Sequence, residues 1–550
     1  MTTPELLAPG SGLPAPPRPA LLQRNDRPRI SGWAWGAATA TAAFILVSCW
    51  WLSRDQGLPY ADNASHLVTV VAYRDLLLAG DPSGDFWTRS GFYPPMTFLV
   101  GAMGMLVGGL HAWTPVLAEN LVYVPLLAAG CFGAGRLLAG PRAGLLAVVF
   151  ALGSPLVAEQ FHVFMIDAPL AALVAAAVWL TLASERFAKP VPAAFAGAVV
   201  GIGLSSKTQF PLFVVGLLLV AVARGGWRNG RGLLAFAVPA LVLGMPWYAA
   251  NLDRVDWLLE AAGGTRDVPP DGRPALLSAA NATWYLWATL NALLFAPLFL
   301  FAAVGVGGTA LALVRTVARR TRLAVDDVRP ELLGGLLLAW LALTVTPHHD
   351  LRYTMPLIVY LATLGTAWIV RLGRRPRRVV TAGLALAVVA TTLGSTFGVG
   401  SDVRVDLGDR PLPAAMRAYL LNYGVPPQRQ VVLYAPHDFM VSAPRRETDI
   451  PGVLAALRAQ GYTGVGWIRE QAILRDPAFD LAGLWLLVRF AGLEPPSLEL
   501  REPWDTSDPG HVLLLRQPLP AESPACAILP GGDGMWAMAD GGEQPICPTG

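Results

Sequence analysis

Twelve long apolar segments constrain this chain more than any other feature of its sequence. A run of about 20 apolar residues is long enough to cross the hydrocarbon core of a bilayer as a helix. Hydrophobic residues make up 54% of the 550 residues, charged residues 14%, and the mean hydropathy is +0.47, whereas a soluble domain carries about 25% charged residues. The sequence therefore predicts a mainly α, polytopic membrane protein. The segments are 32–52, 95–111, 115–138, 143–162, 168–183, 190–206, 208–223, 231–249, 284–314, 331–346, 353–370 and 378–398.

The placement of cations predicts which of these segments cross the membrane. Arginines precede the first segment, so the positive-inside rule puts the N-terminus in the cytoplasm. Twelve spans would then place the basic connections 224–231, 315–329 and 371–378 outside. If 95–111 instead lies in the outer interface, all three connections fall inside. We therefore predict eleven spans in a bacterial inner or plasma membrane.

This topology gathers the acidic, histidine-rich and aromatic-proline segments on the outer face. The external loop 53–114 contains an amphipathic stretch, 62–80, that suits a helix lying in the interface. The other outward segments are three short turns, a longer loop and the tail. The turns lie at Asp167, at Lys207 and at 348–352, and the loop is 250–283.

Three regions follow along the chain. Residues 1–30 are rich in proline and arginine and predict a disordered cytoplasmic arm, and residues 31–400 form the transmembrane region. From about residue 401 there are no further spans, and the short apolar runs 430–434, 485–488 and 511–515 are typical of strands. Residues 450–460 predict a helix that Gly461 ends. We therefore expect a small extracytoplasmic α/β domain over 401–550.

Asp62 and His66 stand at the start of the predicted interfacial helix. They are one helical turn apart and would share a face. An N-terminal cap is the simpler role for Asp62, since its carboxylate could accept backbone N–H bonds. A base or metal ligand at the membrane boundary is the functional alternative. The neighbouring Asn63 is an amide and cannot accept a proton.

Asp167 and Lys207 occupy tight outward turns between apolar segments. Asp167 precedes Pro169, which suits the first turn of a helix, so a helix cap is again the simpler role. An ionisable group at membrane depth nevertheless predicts function, because burying it without a partner is unfavourable. Lys207 either marks the interface or binds a phosphate.

The segment 346–356 is the densest polar cluster between spans. It contains His348, His349, Arg352 and Tyr353. Arg352 and Tyr353 could simply anchor the chain at the interface. However, the positive-inside rule predicts few cations here, so an anionic partner explains Arg352 better, and a guanidinium suits a phosphate. A zinc site formed by His348, His349 and Asp350 is a weaker alternative.

Two aromatic-proline turns complete the candidate residues. Tyr93 precedes Pro94 and Pro95, and Trp247 lies in the turn that ends at Asn251. Trp247 and Asn251 could form part of an interfacial aromatic belt or line a cleft for a sugar or lipid.

In their order along the chain, these features resemble the GT-C superfamily of polytopic glycosyltransferases. The branch is family 39, which includes protein mannosyltransferases and lipid A aminoarabinose transferases. The resemblance covers about 30–400. It rests on Asp62 after the first span, on Tyr93-Pro94-Pro95, on Asp167 before a span, on Pro246-Trp247-Tyr248 with Asn251, and on Arg352-Tyr353 with Pro356.

The resemblance implies a GT-C fold and a hexosyl- or pentosyltransferase with a polyprenyl-phosphate sugar donor. It assigns Asp62, Asp167 and His66 to catalysis, and it admits a divalent metal at Asp62 and Asp167 but no other cofactor. The expected substrate-binding residues are Tyr93, Lys207, Arg352, Tyr353, Trp247, Asn251, His348 and His349. Relatives often carry Glu where this chain has Asn63.

The expected partners are the donor, membrane lipids, and an acceptor that is a lipid, a glycan or a protein. A net charge of +3 gives no reason to expect nucleic acid. Two other classes stay open, namely a transporter or flippase of a lipid-linked saccharide and a non-catalytic scaffold. A transporter would place its functional groups at the bilayer midplane in repeated halves, whereas a scaffold would need neither Asp62 nor Asp167.

Overall fold

The part of the chain that the computed structural model describes is mostly helical. It comprises 31–55, 61–80, 86–90, 93–252, 277–320, 323–324, 326–345, 349–397 and six strands further on. The predicted arm 1–30 lies outside these residues.

The helices follow one another with short connections. They are α1 Gly32–Leu52, α2 Ala61–Ala79, α3 Met96–Gly108, α4 Trp113–Ala139, α5 Pro141–Leu152, α6 Pro155–Gln160, α7 Asp167–Ala183, α8 Pro190–Leu204, α9 Phe210–Ala223, α10 Gly230–Ala250, α11 Ala279–Ala288, α12 Phe295–Ala318, α13 Arg329–Thr344, α14 Ile358–Ala367 and α15 Arg374–Phe397. A π-helical turn, Thr289–Leu294, joins α11 to α12, and 3-10 turns occupy Gly226–Arg228, Leu351–Leu357 and Ile369–Arg371.

Six helical segments among the described residues are long and apolar enough to cross a membrane. They are Gly32–Leu52, Trp113–Ala139, Gly230–Ala250, Asn281–Ala318, Leu351–Arg371 and Arg374–Phe397. This confirms a polytopic helical protein, while the count of eleven spans stays a prediction. Helix α3 has 13 residues and is about 20 Å long, which is short for a hydrocarbon core of about 30 Å. Helices α5 and α9, which lie in predicted spans, have 12 and 14 residues, so the place of α3 in the interface stays a prediction.

Helix α7 is the buried centre of the bundle. Apolar residues surround it on every side, and a helix that is hydrophobic all round belongs in an interior. It packs against α4, where an added Cβ at Gly130 would come within 2.4 Å of the Ala175 backbone. Small residues allow membrane helices to approach this closely. The contact fixes the height at which α7 presents its first residue, Asp167.

Helices α2 and α3 form a separate apolar cluster beside this bundle. The buried side of α2 includes Leu67, Val70 and Val71, and it packs on Phe98 and Phe164. The amphipathic pattern of 62–80 thus correctly predicts the helix and the burial of these residues, whereas Leu77 and Leu78 at its end are exposed and the polar His66 is buried. Because α2 is anchored on one side, its first turn is held against the segment that precedes α7.

Glu331 links three segments at the end of the bundle opposite Asp167. Its carboxylate accepts from Arg186 at 2.8 Å and from Arg224 at 2.6 Å, and its side chain is nearly buried. The three residues come from the α7–α8 connection, the end of α9 and the start of α13. These cations belong to connections that the positive-inside rule assigns to the cytoplasm.

Six short strands follow the helices. They are β1 Val403–Asp406, β2 Gln430–Tyr434, β3 Gly464–Ile468, β4 His511–Leu515, β5 Gly534–Ala537 and β6 Glu543–Pro545. β1 pairs with β2, and the others form an antiparallel sheet in the order β4-β3-β5-β6.

Two of the predicted strands coincide with these elements. They are 430–434, which is β2, and 511–515, which is β4. The predicted strand 485–488 and helix 450–460 lie outside the described residues, so the α/β domain over 401–550 stays a prediction.

Candidate active site

A buried ion pair joins Asp167 to Lys207. The Lys207 Nζ lies 2.6 Å from the Asp167 Oδ1, and each side chain is only 2% exposed. Asp167 opens α7, and Lys207 lies in the turn between α8 and α9. Isolated charges of either sign would be very unfavourable at such a depth, so each group compensates the other.

A second cluster of charges is centred on Arg352. Its guanidinium donates to Asp350 through Nε at 2.8 Å and contacts Asp62 at 2.8 Å through Nη2. Asp350 and Arg352 belong to the start of the 3-10 turn Leu351–Leu357, where the Asp350 carboxylate also accepts from the Arg352 backbone N–H at 2.9 Å. Asp350 therefore holds the guanidinium in place, and Asp62 reaches it from a different helix.

Asp62 is the exposed member of this cluster. Its side chain is 57% exposed, whereas that of Arg352 is 19% exposed. The surrounding protein disfavours its charge, but Arg352, His66 and Lys207 together outweigh this effect and lower the pKa of Asp62 to about 2. The carboxylate is therefore ionised and accessible at neutral pH.

Aromatic rings separate the two charge clusters. Lys207 Nζ lies 5.8 Å from the ring centre of Tyr93 and 5.3 Å from that of Tyr353. These distances are within the range of cation–π attraction. His66 meets Tyr93 edge to face at 5.8 Å, so the Asp62 face of α2 also borders this group. Burial raises the pKa of Tyr93, which keeps its hydroxyl protonated.

The backbone around the site is fixed by hydrogen bonds between distant segments. The Asn63 side-chain oxygen accepts from the Phe164 N–H at 3.2 Å, and the Met96 N–H donates to the Ser205 carbonyl at 2.9 Å. The first bond ties α2 to the segment before Asp167, and the second ties α3 to the segment before Lys207. Asn63 thus has a positioning role here.

Other predicted site residues have structural contacts of their own. The Asn251 side chain donates to the Trp87 carbonyl at 3.1 Å and to the Trp247 carbonyl at 2.8 Å, which holds the segment 86–90 against α10. His349 stacks on Trp284 at 4.4 Å. His348 lies outside the described residues. Substrate binding by Trp247, Asn251, His348 and His349 stays a prediction.

Two glutamates near the site are missing from the predicted residues. Glu119 on α4 is fully buried and interacts with the Met165 backbone and the charge of Asp167. Glu159 on α6 lies within electrostatic range of Arg352 and Asp350. Glu119 could have been found from the sequence, because an acid inside an apolar segment predicts function by itself.

Both carboxylates of the predicted metal site contact cations in the structure. Asp167 is paired with Lys207, and Asp62 contacts Arg352. Among the described residues, no group of three or more His, Cys, Asp or Glu side chains is placed to hold a metal ion. Metal binding at Asp62 and Asp167 therefore stays a prediction, and no step below depends on it.

We expect His66 to make stability depend on pH. Burial is the main reason that its pKa falls from 6.5 to about 4 in the folded protein, so the unfolded chain binds a proton first as the pH falls. Its contribution is complete above about pH 6.5 and is lost as the pH falls towards 4. When the pH is lowered from about 7.5 to about 5, the free energy of unfolding should fall by about 2 kcal/mol less in His66→Gln than in the wild type. Thermal unfolding in detergent at both pH values measures this, and equal losses would contradict it.

Part of the chain is similar to a known protein family. Residues 93–249 match a family model described as dolichyl-phosphate-mannose-protein mannosyltransferase. This segment includes Tyr93, Asp167, Lys207 and Trp247. A search of the curated proteins found no match.

Two solved structures of ArnT from Cupriavidus metallidurans are similar to the chain. The apo structure has a TM-score of 0.47 and 18% identity over 65% of this chain and 63% of that one. The structure bound to undecaprenyl phosphate has a TM-score of 0.47 and 18% identity over 66% of this chain and 65% of that one. The chain thus spans less than two thirds of the length of either relative.

The family match begins at Tyr93, beside the two ion pairs, and ends one residue after Tyr248, within α10. Over residues 93–249, therefore, the chain is similar to the dolichyl-phosphate-mannose-protein mannosyltransferases, which confirms the family resemblance predicted from the sequence.

Proposed function

We propose that this protein is a membrane glycosyltransferase that moves a hexosyl or pentosyl group from a polyprenyl-phosphate donor to an acceptor. The observation that carries the proposal is the convergence of Asp62, Asp167, Lys207, Asp350 and Arg352 beside Tyr93. These residues come from segments far apart in the chain, and each lies at or near the end of a helix or 3-10 turn. The family match over 93–249 supports the same activity.

The chemistry requires one group for the phosphate and another for the proton. The acceptor O–H or N–H attacks the anomeric carbon, and the bond from that carbon to the phosphate oxygen breaks. The electron pair leaves with the polyprenyl phosphate, whose developing charge Arg352 stabilises. Asp62 takes the acceptor proton, because it is the accessible carboxylate of the group.

The charges of the site before the donor binds explain how donor binding could make Asp62 a better base. The three aspartates and two cations of the site carry a formal net charge of −1 (2 − 3). An anionic donor therefore competes with Asp62 for Arg352, which Asp350 continues to hold. Once Asp62 loses its cation, its pKa rises from about 2, and a carboxylate with a higher pKa is a better proton acceptor.

The placement of these groups favours an enzyme over a transporter. They gather at one end of the helices, whereas transporters bind their substrates near the bilayer midplane. The positive-inside rule supports an outer-face location for this end, with the tail on the same side, since the basic connections lie at the other end. The acceptor is a lipid, a glycan or a protein exposed on that face.

The full-length protein in lipid vesicles allows the proposal to be tested. The vesicles would contain labelled polyprenyl-phosphate hexoses or pentoses, and released polyprenyl phosphate and labelled product would be measured. We expect release to depend on an added acceptor extract and on Arg352. If no donor is consumed while a labelled lipid-linked saccharide moves between leaflets, the transporter hypothesis replaces this one.

Arg352→Lys should lower the transfer rate by about tenfold. Lysine keeps the positive charge but lacks the planar fork that binds a phosphate or carboxylate through two hydrogen bonds. Arg74→Lys is the matched control, because Arg74 pairs with the adjacent Asp75 on α2 at 2.8 Å. Rates measured at saturating donor would contradict the role of Arg352 if both variants matched the wild type.

A further inference from the structure

A cavity with two arginines in its wall lies far from the candidate active site. It has a volume of about 430 Å³ and is lined by Trp33, Ala139, Pro141, Arg142, Val370 and Arg371. These residues come from the start of α1, the α4–α5 connection and the 3-10 turn Ile369–Arg371. We call it the basic pocket.

The basic pocket lies at the opposite end of the elements that reach the active site. Helix α1 starts at the pocket and runs for 21 residues, or about 30 Å, to Trp51. Trp51 stacks on His162 at 4.4 Å, close to the segment that Asn63 contacts. The segment from Arg352 to Arg371 likewise runs from the active site to the basic pocket. The pocket and the active site are therefore separated by about the thickness of a membrane core.

The two arginines of the pocket are free to bind an anion. The Arg142 guanidinium lies over the Trp33 ring at 5.0 Å, which orients it without neutralising its charge. Within the described ranges neither Arg142 nor Arg371 forms an ion pair with a carboxylate. Both are exposed, so their charges face the surroundings of the bundle.

The flanking sequence strengthens the positive potential around the pocket. Helix α15 begins directly after Arg371 with four arginines, Arg374, Arg375, Arg377 and Arg378. The segments 133–146 and 366–380 contain no acidic residue. Basic clusters and pockets between helices at the cytoplasmic surface of a membrane attract anionic lipid headgroups.

We propose that the basic pocket binds the phosphate of an anionic phospholipid headgroup. Arg142 and Arg371 contact the phosphate, and the exposed indole of Trp33 lies at the depth where headgroups meet acyl chains. A lipid fits better than free phosphate because the same wall presents apolar Ala139 and Val370. The site is independent of the proposed transferase activity.

Native mass spectrometry of the purified full-length protein tests this proposal. The protein would be titrated with phosphatidylglycerol and, separately, with phosphatidylcholine. We expect selective retention of phosphatidylglycerol, and an affinity on the order of tenfold lower for the double variant Arg142→Gln/Arg371→Gln. The lysine double variant Arg142→Lys/Arg371→Lys keeps both charges and should retain most of the binding.

Arg315→Gln/Arg319→Gln is the matched control. It removes two exposed arginines from the end of α12, outside the pocket, and should bind phosphatidylglycerol like the wild type. Equal loss in this control would assign the effect to overall charge and overturn the site. So would unchanged binding by Arg142→Gln/Arg371→Gln. Displacement of the lipid by millimolar inorganic phosphate would show a general phosphate site instead of a lipid site.

Discussion

Asp62→Asn is expected to lower the transfer rate by about 10²–10⁴-fold, the usual contribution of a positioned general base. The substitution preserves the shape of the side chain but removes its ability to accept a proton. Folding should be little affected, because the Asp62 side chain is 57% exposed and exposed ion pairs contribute little to stability. Arg352 keeps Asp350 as a partner. Donor affinity should be unchanged or higher, since the donor no longer competes with a carboxylate for Arg352.

The rate and the donor affinity should be measured together for this variant. Asp75→Asn is the matched control, because Asp75 lies on the same helix, contacts Arg74, and has a side chain that is 40% exposed. We expect its rate to equal that of the wild type. A wild-type rate in Asp62→Asn would remove Asp62 from the chemistry and direct attention to His66 or Glu159.

Asp167→Asn or Lys207→Met should each destabilise the protein by about 3–5 kcal/mol, because either change leaves one buried charge without its partner. Both side chains are only 2% exposed and lie 2.6 Å apart, so solvent cannot replace the lost contact. The double variant Asp167→Asn/Lys207→Met removes both charges and should recover most of the lost stability. Unfolding of all three variants in detergent, with activity assays alongside, completes the cycle.

The double variant also separates structure from function at this pair. A stable but inactive double variant would assign Asp167 or Lys207 a part in binding or catalysis. A stable and active one would show that the pair only supports the fold. Additive losses in the two single variants, with no recovery in the double, would contradict the direct coupling seen in the structure.

Much of the fold could be predicted from the sequence because the membrane imposes simple rules. Apolar length predicts helices such as α1 and α4, since a backbone in hydrocarbon must satisfy its own hydrogen bonds. The amphipathic pattern of 62–80 predicts α2 and most of its buried face, although Leu77 and Leu78 at its end are exposed. The locations of Asp62, Asp167, Lys207 and Arg352 at one end follow from the same topology.

The pairing within the site could not be predicted in this way. Asp167 pairs with Lys207, and Asp62 pairs with Arg352. These contacts depend on the packing of α2, α7, α8 and the 3-10 turn Leu351–Leu357 against one another. Periodicity within one helix carries no information about a partner far along the chain. For the same reason the role of Asn63 could not be predicted, since its bond to Phe164 crosses between two elements.

The two ion pairs also have a consequence for biosynthesis. Asp167 and Lys207 are both present once the chain has been translated to residue 207, so the first pair can close early. The second pair cannot form until Arg352 has been synthesised. Arg352 follows Lys207 by 145 residues (352 − 207), which takes roughly 7–30 s at the usual rate of synthesis. During that interval the first helices are already inserted while Asp62 still lacks its cation. The candidate active site is therefore complete only after the segment that carries Arg352 has been translated and has packed into the bundle.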